Sequence, residues 1–128
     1  MNAMQLAAYL FLILIGLAML FQLALAFGAP WGEMTMAGKY PGRLPAAMRF
    51  AAIVQCLLLA LIGLIVSIRA GLLLQTYNDI SQSLIWVVIV FTLISVILNS
   101  ITPSKKERLL WAPVTLILFI CSMIIGLS

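Results

Sequence analysis

Four long apolar runs divide this chain, and short, more polar connections separate them. A helix needs about 20 consecutive apolar residues to cross the roughly 30 Å of hydrocarbon in a bilayer. The pattern therefore predicts a single all-α domain over 1–128, a four-helix transmembrane bundle. The predicted spans cover about 4–27, 46–68, 84–101 and 109–127.

Composition agrees with this pattern and excludes several classes of site. Hydrophobic residues make up 66% of the 128 residues and charged residues 8%, against about 45–50% and about 25% in globular proteins. Histidine is absent, which excludes His-based zinc sites, haem ligation by His and Ser–His triads. Cys56 and Cys121 lie inside apolar runs and read as packing residues, so we expect no cofactor and no metal.

The net charge of +4 is a topology signal rather than a nucleic-acid surface. Cytoplasmic loops of membrane proteins carry an excess of Lys and Arg. Six basic residues lie in or beside the connections after the first and third spans, and only Arg69 lies on the other side. This asymmetry predicts both termini outside the cytoplasm. The six residues are Lys39, Arg43, Arg49, Lys105, Lys106 and Arg108.

Polar residues within the spans gather in the half next to the basic connections. Gln22, Gln55 and Thr115 each fall there, and the third span adds Thr92, Ser95, Asn99 and Thr102 on one helical face. Two interpretations remain open. These groups hydrogen-bond between helices, at about 0.6–2 kcal/mol each, or they line a polar cavity open to the cytoplasm. No carboxylate lies inside a span, which disfavours proton-coupled antiport.

The first connection, 28–45, contains four glycines and three prolines and predicts an ordered loop that folds back onto the mouth of the bundle. Pro41-Gly42 is typical of a type II turn. Glu33 either pairs with a nearby cation, or the loop presents cations and glycine amides to an anion. The ligand-binding residues predicted from the loops and spans are Gln22, Glu33, Lys39, Arg43, Arg49, Gln55, Ser95, Asn99 and Arg108.

Three further features bear on packing. Ser104 with Glu107 is typical of a capping box at the start of the fourth helix. Trp31, Trp86 and Trp111 fall near span ends, where indoles anchor at the headgroup level. The second span carries a stripe of small residues for close helix contact, within the chain or with a second copy. The stripe is Ala52, Cys56, Ala60, Gly63 and Ser67.

The full length of the chain resembles an uncharacterised family of small bacterial four-span membrane proteins with a GAPWG…PGRLP first loop. The residues that carry this resemblance are Gly28-Ala29-Pro30-Trp31-Gly32, Pro41-Gly42-Arg43-Leu44-Pro45 leading to Arg49, and Glu107-Arg108. The resemblance implies a multi-pass protein of the bacterial inner membrane. It implies no activity.

Two functions compete at this level. The first is binding or transport of a small anion or lipid headgroup through a cytoplasm-facing polar cavity. The alternative is a non-catalytic accessory or assembly subunit that packs on a membrane partner, or on a second copy, through the small-residue stripe. An enzyme is disfavoured because the chain offers no plausible base–nucleophile pair. Membrane lipids are the expected partners, and nucleic acid is not.

Overall fold

The computed structural model describes every residue from Met1 to Ser128. It contains no strand and four long helices: α1 (Ala3–Ala26), α2 (Ala46–Arg69), α3 (Asn78–Ile101) and α4 (Lys105–Leu127). All four are long and apolar enough to cross a membrane. The predicted all-α, four-helix transmembrane bundle is confirmed, and the chain is a multi-pass membrane protein.

The helices extend beyond the apolar runs at two of their starts. Helix α3 begins at Asn78, after a 3-10 turn over Gln75–Tyr77, well before the predicted start at 84. Helix α4 begins at Lys105, and Ser104 caps it by accepting a hydrogen bond from the Glu107 N–H at 3.2 Å. Hydropathy marks the stretch that lies in hydrocarbon, whereas backbone hydrogen bonding continues into the polar interface.

The helices run up and down in sequence order. Helix α1 packs against α2 and α4, α3 packs against α4 and α2, and the α2–α3 contact is less extensive than the other three. The connections 27–45 and 102–104 therefore share one end, which we call the basic end. Both termini and the connection between α2 and α3 share the other, the terminal end.

The apolar core lies toward the terminal end. Phe11, Val66, Ile85, Val88 and Ile125 are fully buried there, from all four helices. Large apolar side chains elsewhere on the helices point outward and stay exposed. A soluble protein would bury many of them, but lipid covers them in a membrane.

The small-residue stripe of α2 packs inside the chain. A Cβ atom at Gly63 would lie 3.6 Å from the side chains of Ile15 and Leu12 on α1. The Cys56 thiol lies 3.7 Å from the Met19 carbonyl oxygen, to which it donates. Ala60 is the one stripe residue that is exposed. A partner that used this stripe would have to displace α1.

Arg69, the one basic residue at the terminal end, joins three helices there. Its guanidinium donates to the Ser128 carbonyl oxygen at 2.6 Å and contacts the Met4 sulfur at 3.7 Å. The C-terminus of a helix exposes unpaired carbonyls that a cation stabilises. Arg69 thus ties the start of α1 and the end of α4 to the end of α2.

A matched pair of substitutions on α2 tests this packing. Gly63→Leu should lower the free energy of unfolding by about 1–3 kcal/mol, because the added side chain overlaps Ile15 and Leu12. Ala60→Leu should leave it nearly unchanged, because Ala60 is exposed. Thermal unfolding in detergent, followed by circular dichroism, measures both. Equal losses would show that the two positions have the same surroundings.

Candidate functional site

The loop 28–45, which we call the lid, has a fixed shape. It contains 3-10 turns over Gly32–Met34 and Met36–Gly38. The Gly32 N–H donates to the Gly42 carbonyl at 2.9 Å. A Cβ at Gly32 would lie 1.7 Å from the Tyr40 carbonyl oxygen, so only glycine fits this approach. The ordered loop expected from the glycines and prolines is confirmed.

Aromatic side chains attach the lid to the bundle. Trp31 of the lid stacks on Phe21 of α1, with ring centroids 6.0 Å apart, and Phe21 packs in a T-shaped arrangement with Trp111 of α4, with centroids 4.9 Å apart. The Trp111 indole N–H donates to the Met34 carbonyl at 3.0 Å. Trp31 and Trp111 therefore hold the lid in place, beyond the anchoring expected of indoles near span ends.

The first turn of α4 holds the other side of the lid. The Ser104 hydroxyl, besides capping α4, donates to the Glu33 carbonyl oxygen. Lys106 forms an ion pair with the Glu33 carboxylate at 2.9 Å. Both charged groups are substantially exposed, so the pair contributes about 1 kcal/mol or less. Glu33 thus pairs with a cation of α4 rather than with a basic residue of its own loop.

Glu107 faces the lid from inside the bundle. It is only 8% exposed, and its Oε2 accepts a long hydrogen bond of 3.4 Å from the Ala37 N–H. Met36, Ala37 and Gly38 all have positive φ, at 50°, 58° and 72°, a conformation that costs the non-glycine residues of order 1–3 kcal/mol each. A backbone amide of the lid, that of Ala37, therefore faces a carboxylate of the protein itself.

A cavity of about 160 Å³ lies beneath the lid, between all four helices. It extends from Glu107 to Leu118 on α4, a distance of about 16 Å along that helix. Half of its lining residues are apolar: Ile15, Ala18, Phe21, Met34, Leu59, Phe91, Trp111 and Leu118. The others are Gln22, Thr35, Gln55, Thr92, Ser95, Asn99, Glu107 and Thr115.

The hydrogen bonds of these polar residues show which of them join two helices. The side chains of Ser95, Asn99 and Thr115 donate to carbonyls of their own helices at 2.9, 2.8 and 2.7 Å. The amides of Gln22 and Gln55 make no hydrogen bond within the chain, and neither is sealed from the cavity. Most of the set therefore lines a cavity and does not join helices.

Thr92 is the exception, and it marks the floor of the cavity. Its hydroxyl lies 3.1 Å from that of Ser122, which links α3 to α4. The two residues are 1% and 0% exposed. Below them the apolar core fills the bundle toward the terminal end. The cavity is closed on that side.

A side groove joins the cavity to the edge of the bundle between α2 and α3. The groove and the cavity share Gln55, Ser95, Asn99 and Glu107. The groove continues along the outer parts of both helices and beneath the lid. Its further lining includes Met36, Lys39, Tyr40, Met48, Leu98, Ile101 and Thr102.

The structure brings together some of the predicted binding residues and separates others. Gln22, Gln55, Ser95 and Asn99 line the cavity, and Lys39 lines the side groove. Glu33, as described, lies on the outer surface of the lid.

The three predicted arginines do not line the cavity or the side groove, and two of them bond to backbone carbonyls. The Arg49 guanidinium donates to the Ala26 carbonyl at 2.9 Å and so caps α1. Arg108 donates to the Thr102 carbonyl at 2.9 Å. Arg43 lies over Gly28, where a Cβ would come within 2.5 Å of a guanidinium nitrogen.

Among the α4 residues that line the cavity, sequence reasoning identified only Thr115 and missed Glu107, Trp111 and Leu118. Glu107, Trp111, Thr115 and Leu118 all line the cavity, and their spacings of four, four and three place them on one helical face. This spacing was the available signal. Glu107 was assigned only to capping, because it lies outside the apolar run.

The electrostatics of the cavity follow from Glu107, its only charged lining residue. Burying an ion costs several kcal/mol unless it is paired. The N-terminal end of the α4 dipole offsets about 0.3–1 kcal/mol of this, and the Ala37 N–H a little more. No group of three or more potential metal ligands occurs in the chain. The cavity thus suits a cationic or neutral hydrogen-bonding group better than an anion.

Replacing the indole that holds the lid tests its attachment. Trp111→Phe keeps a ring against Phe21 but removes the donor to Met34, so the lid should open more often. Trypsin should then cleave after Lys39 and Arg43 roughly three- to tenfold faster, because proteolysis follows the open population. Trp86→Phe, an exposed indole on α3, is the control and should not change the rate. Equal rates for both variants would mean that this bond does not hold the lid.

Comparisons of the chain with protein-family models, with curated proteins and with solved structures find no match. The features that bear on function are those of the cavity itself. They are its polar lining, its single carboxylate, its closed floor and its opening at the basic end.

Proposed function

We propose that this protein binds a small polar molecule or the headgroup of a membrane lipid in the cavity, as a binding or transport module whose basic end faces the cytoplasm of a bacterial inner membrane. One observation carries the proposal. The free amides of Gln22 and Gln55 and the carboxylate of Glu107 face a single cavity beneath an ordered lid.

The energetics of polar groups in a membrane support a hydrated or ligand-filled cavity. An amide buried without a hydrogen bond costs about 2–7 kcal/mol, and the two glutamines have no partner within the chain. A volume of about 160 Å³ accommodates several water molecules or a small ligand group. Apolar side chains at these two positions would stabilise the bundle without leaving a polar group unpaired. The amides are therefore better explained by contact with a ligand than by a role in folding.

The charge distribution of the cavity favours a neutral, cationic or zwitterionic ligand over the small anion that was also expected. No Lys or Arg lines the inner cavity, and Lys39 is the only cation of the side groove. A free anion would therefore meet Glu107 without a compensating charge. A neutral group, an amine or a zwitterionic headgroup fits better. The closed floor supports binding in this conformation, and transport would require the contact between Thr92 and Ser122 to separate.

Labelling of introduced cysteines tests the proposal. In a Cys56→Ala, Cys121→Ala background, Gln55→Cys should react with water-soluble methanethiosulfonates added from the cytoplasmic side of membrane vesicles. Leu57→Cys, on the same helix but 66% exposed toward lipid, should not react. Asp79→Cys, at the terminal end, should react only from the opposite side.

The charge of the reagent tests the ligand class. A trimethylammonium reagent should label Gln55→Cys roughly three- to tenfold faster than a sulfonate reagent, relative to their rates with free cysteine, because of the nearby carboxylate. Adding Glu107→Gln should remove this preference. No labelling at position 55 from either side would show that the cavity is dry and would end the proposal.

A further inference from the structure

The side groove opens the cavity to the surrounding bilayer. Gln55 of α2 and Asn99 of α3 line both spaces, so a molecule lying between α2 and α3 can reach the polar interior. Helices α2 and α3 also make the least extensive contact of the neighbouring pairs. Leu98 and Ile101 border the groove and are 58% and 70% exposed, on the surface that lipid chains would cover.

The groove carries one charge of each sign. Lys39 is exposed and borders its outer part, and Glu107 is buried where the groove meets the cavity. These two residues do not pair with each other, because the only ion pair in the chain joins Lys106 to Glu33. The groove therefore presents a separated positive and negative group to whatever enters it.

Glu107 lacks the partner that a buried carboxylate requires. A carboxylate accepts about four hydrogen bonds, but the side chain of Glu107 accepts only one, the long contact from Ala37. Its second oxygen has no partner in the chain. Since no fully buried side-chain oxygen is left unpaired, this oxygen is accessible, and Glu107 lines both the cavity and the groove. A cationic hydrogen-bond donor is the group that it would bind most strongly.

We propose that the groove binds a phospholipid with a primary-amine headgroup, which enters laterally between α2 and α3. This inference rests on the proposed function and names its ligand. The headgroup ammonium binds the Glu107 carboxylate, and the phosphate lies toward Lys39. The acyl chains stay in the bilayer along Leu98 and Ile101.

Anionic lipid fits the same groove less well. Its phosphate would contact Lys39, but its headgroup has no cation to pair with Glu107. The Glu107 carboxylate would also repel the net negative charge of the lipid. Arg49 and Arg108 are already bonded to helix-end carbonyls, so neither adds a cation to the groove. The difference in affinity between an amine lipid and an anionic lipid of equal chain length therefore measures the contribution of Glu107.

Native mass spectrometry of the detergent-solubilised full chain tests this preference, with didecanoyl phosphatidylethanolamine and didecanoyl phosphatidylglycerol as probes. The amine lipid should bind about tenfold more tightly, as expected for one charged hydrogen bond. Glu107→Gln should remove the difference. Asp79→Asn, the same change at an exposed acid of the terminal end, should preserve it. Tighter binding of phosphatidylglycerol, or a preference unaffected by Glu107→Gln, would overturn the proposal.

Lys39→Gln supplies a second test that does not depend on how Glu107→Gln folds, because Lys39 is exposed. This substitution should lower the affinity for both lipids severalfold, because it removes the contact to the phosphate. Lys105→Gln, at an exposed lysine outside the groove, should leave both affinities unchanged. Equal effects of the two lysine variants would indicate nonspecific attraction and would count against the assigned phosphate position.

Glycerophosphoethanolamine, which has the headgroup without acyl chains, separates this inference from the broader function. It should bind at least tenfold more weakly than the lipid, because it lacks the contact along α2 and α3. If it binds as tightly as the lipid, lateral lipid entry is wrong while the polar binding cavity stands. If neither probe binds and Gln55→Cys is also unreactive, both proposals fail.

Discussion

Polar groups within the hydrocarbon of a membrane must find partners inside the protein or in enclosed water, and this constraint organises the two halves of the bundle differently. Toward the terminal end the few polar side chains are satisfied locally. The Ser67 hydroxyl donates to the Gly63 carbonyl at 2.8 Å, and Arg69 bonds to Ser128 at 2.6 Å. Toward the basic end, the amides of Gln22 and Gln55 face open space. The polar half of the protein is thus built around a cavity, and the apolar half around a core.

The lid turns this cavity into a defined site. Its backbone adopts left-handed conformations at Met36 and Ala37, which are unfavourable without support from neighbouring groups. Support comes from α4, through Ser104, Glu107 and Trp111. Because one helix both lines the cavity and holds the lid, a change at the N-terminal end of α4 affects the position of the lid and the lining of the cavity together.

The sequence was sufficient for the parts of the fold that depend on hydropathy, and less so where individual contacts decide. Four spans follow from four apolar runs, and glycine and proline content predicts an ordered loop. The early start of α3 at Asn78 could not be read from apolar residues, because the first turns lie in polar sequence. The charge of the cavity depends on which ionised side chains reach it. Arg49 and Arg108 bond instead to helix-end carbonyls, a choice that charge counting does not reveal.

Glu107 is a second case in which the sequence alone does not show where a charged side chain lies. An acid three residues after a capping serine has a sufficient local explanation, and nothing in the sequence shows that the lid buries it. The small-residue stripe of α2 was equally ambiguous between an internal and an external helix. The side chains of Ile15 and Leu12 on α1, which a Cβ at Gly63 would contact, assign the stripe to the interior.

The closed floor has a consequence for the membrane as a whole. A continuous column of water through the bundle would let protons and small ions run down their gradients. Here the contact between Thr92 and Ser122 and the packed side chains of Phe11, Ile85 and Ile125 interrupt any such column. Water that entered the cavity from the basic end would therefore not connect the two faces of the membrane.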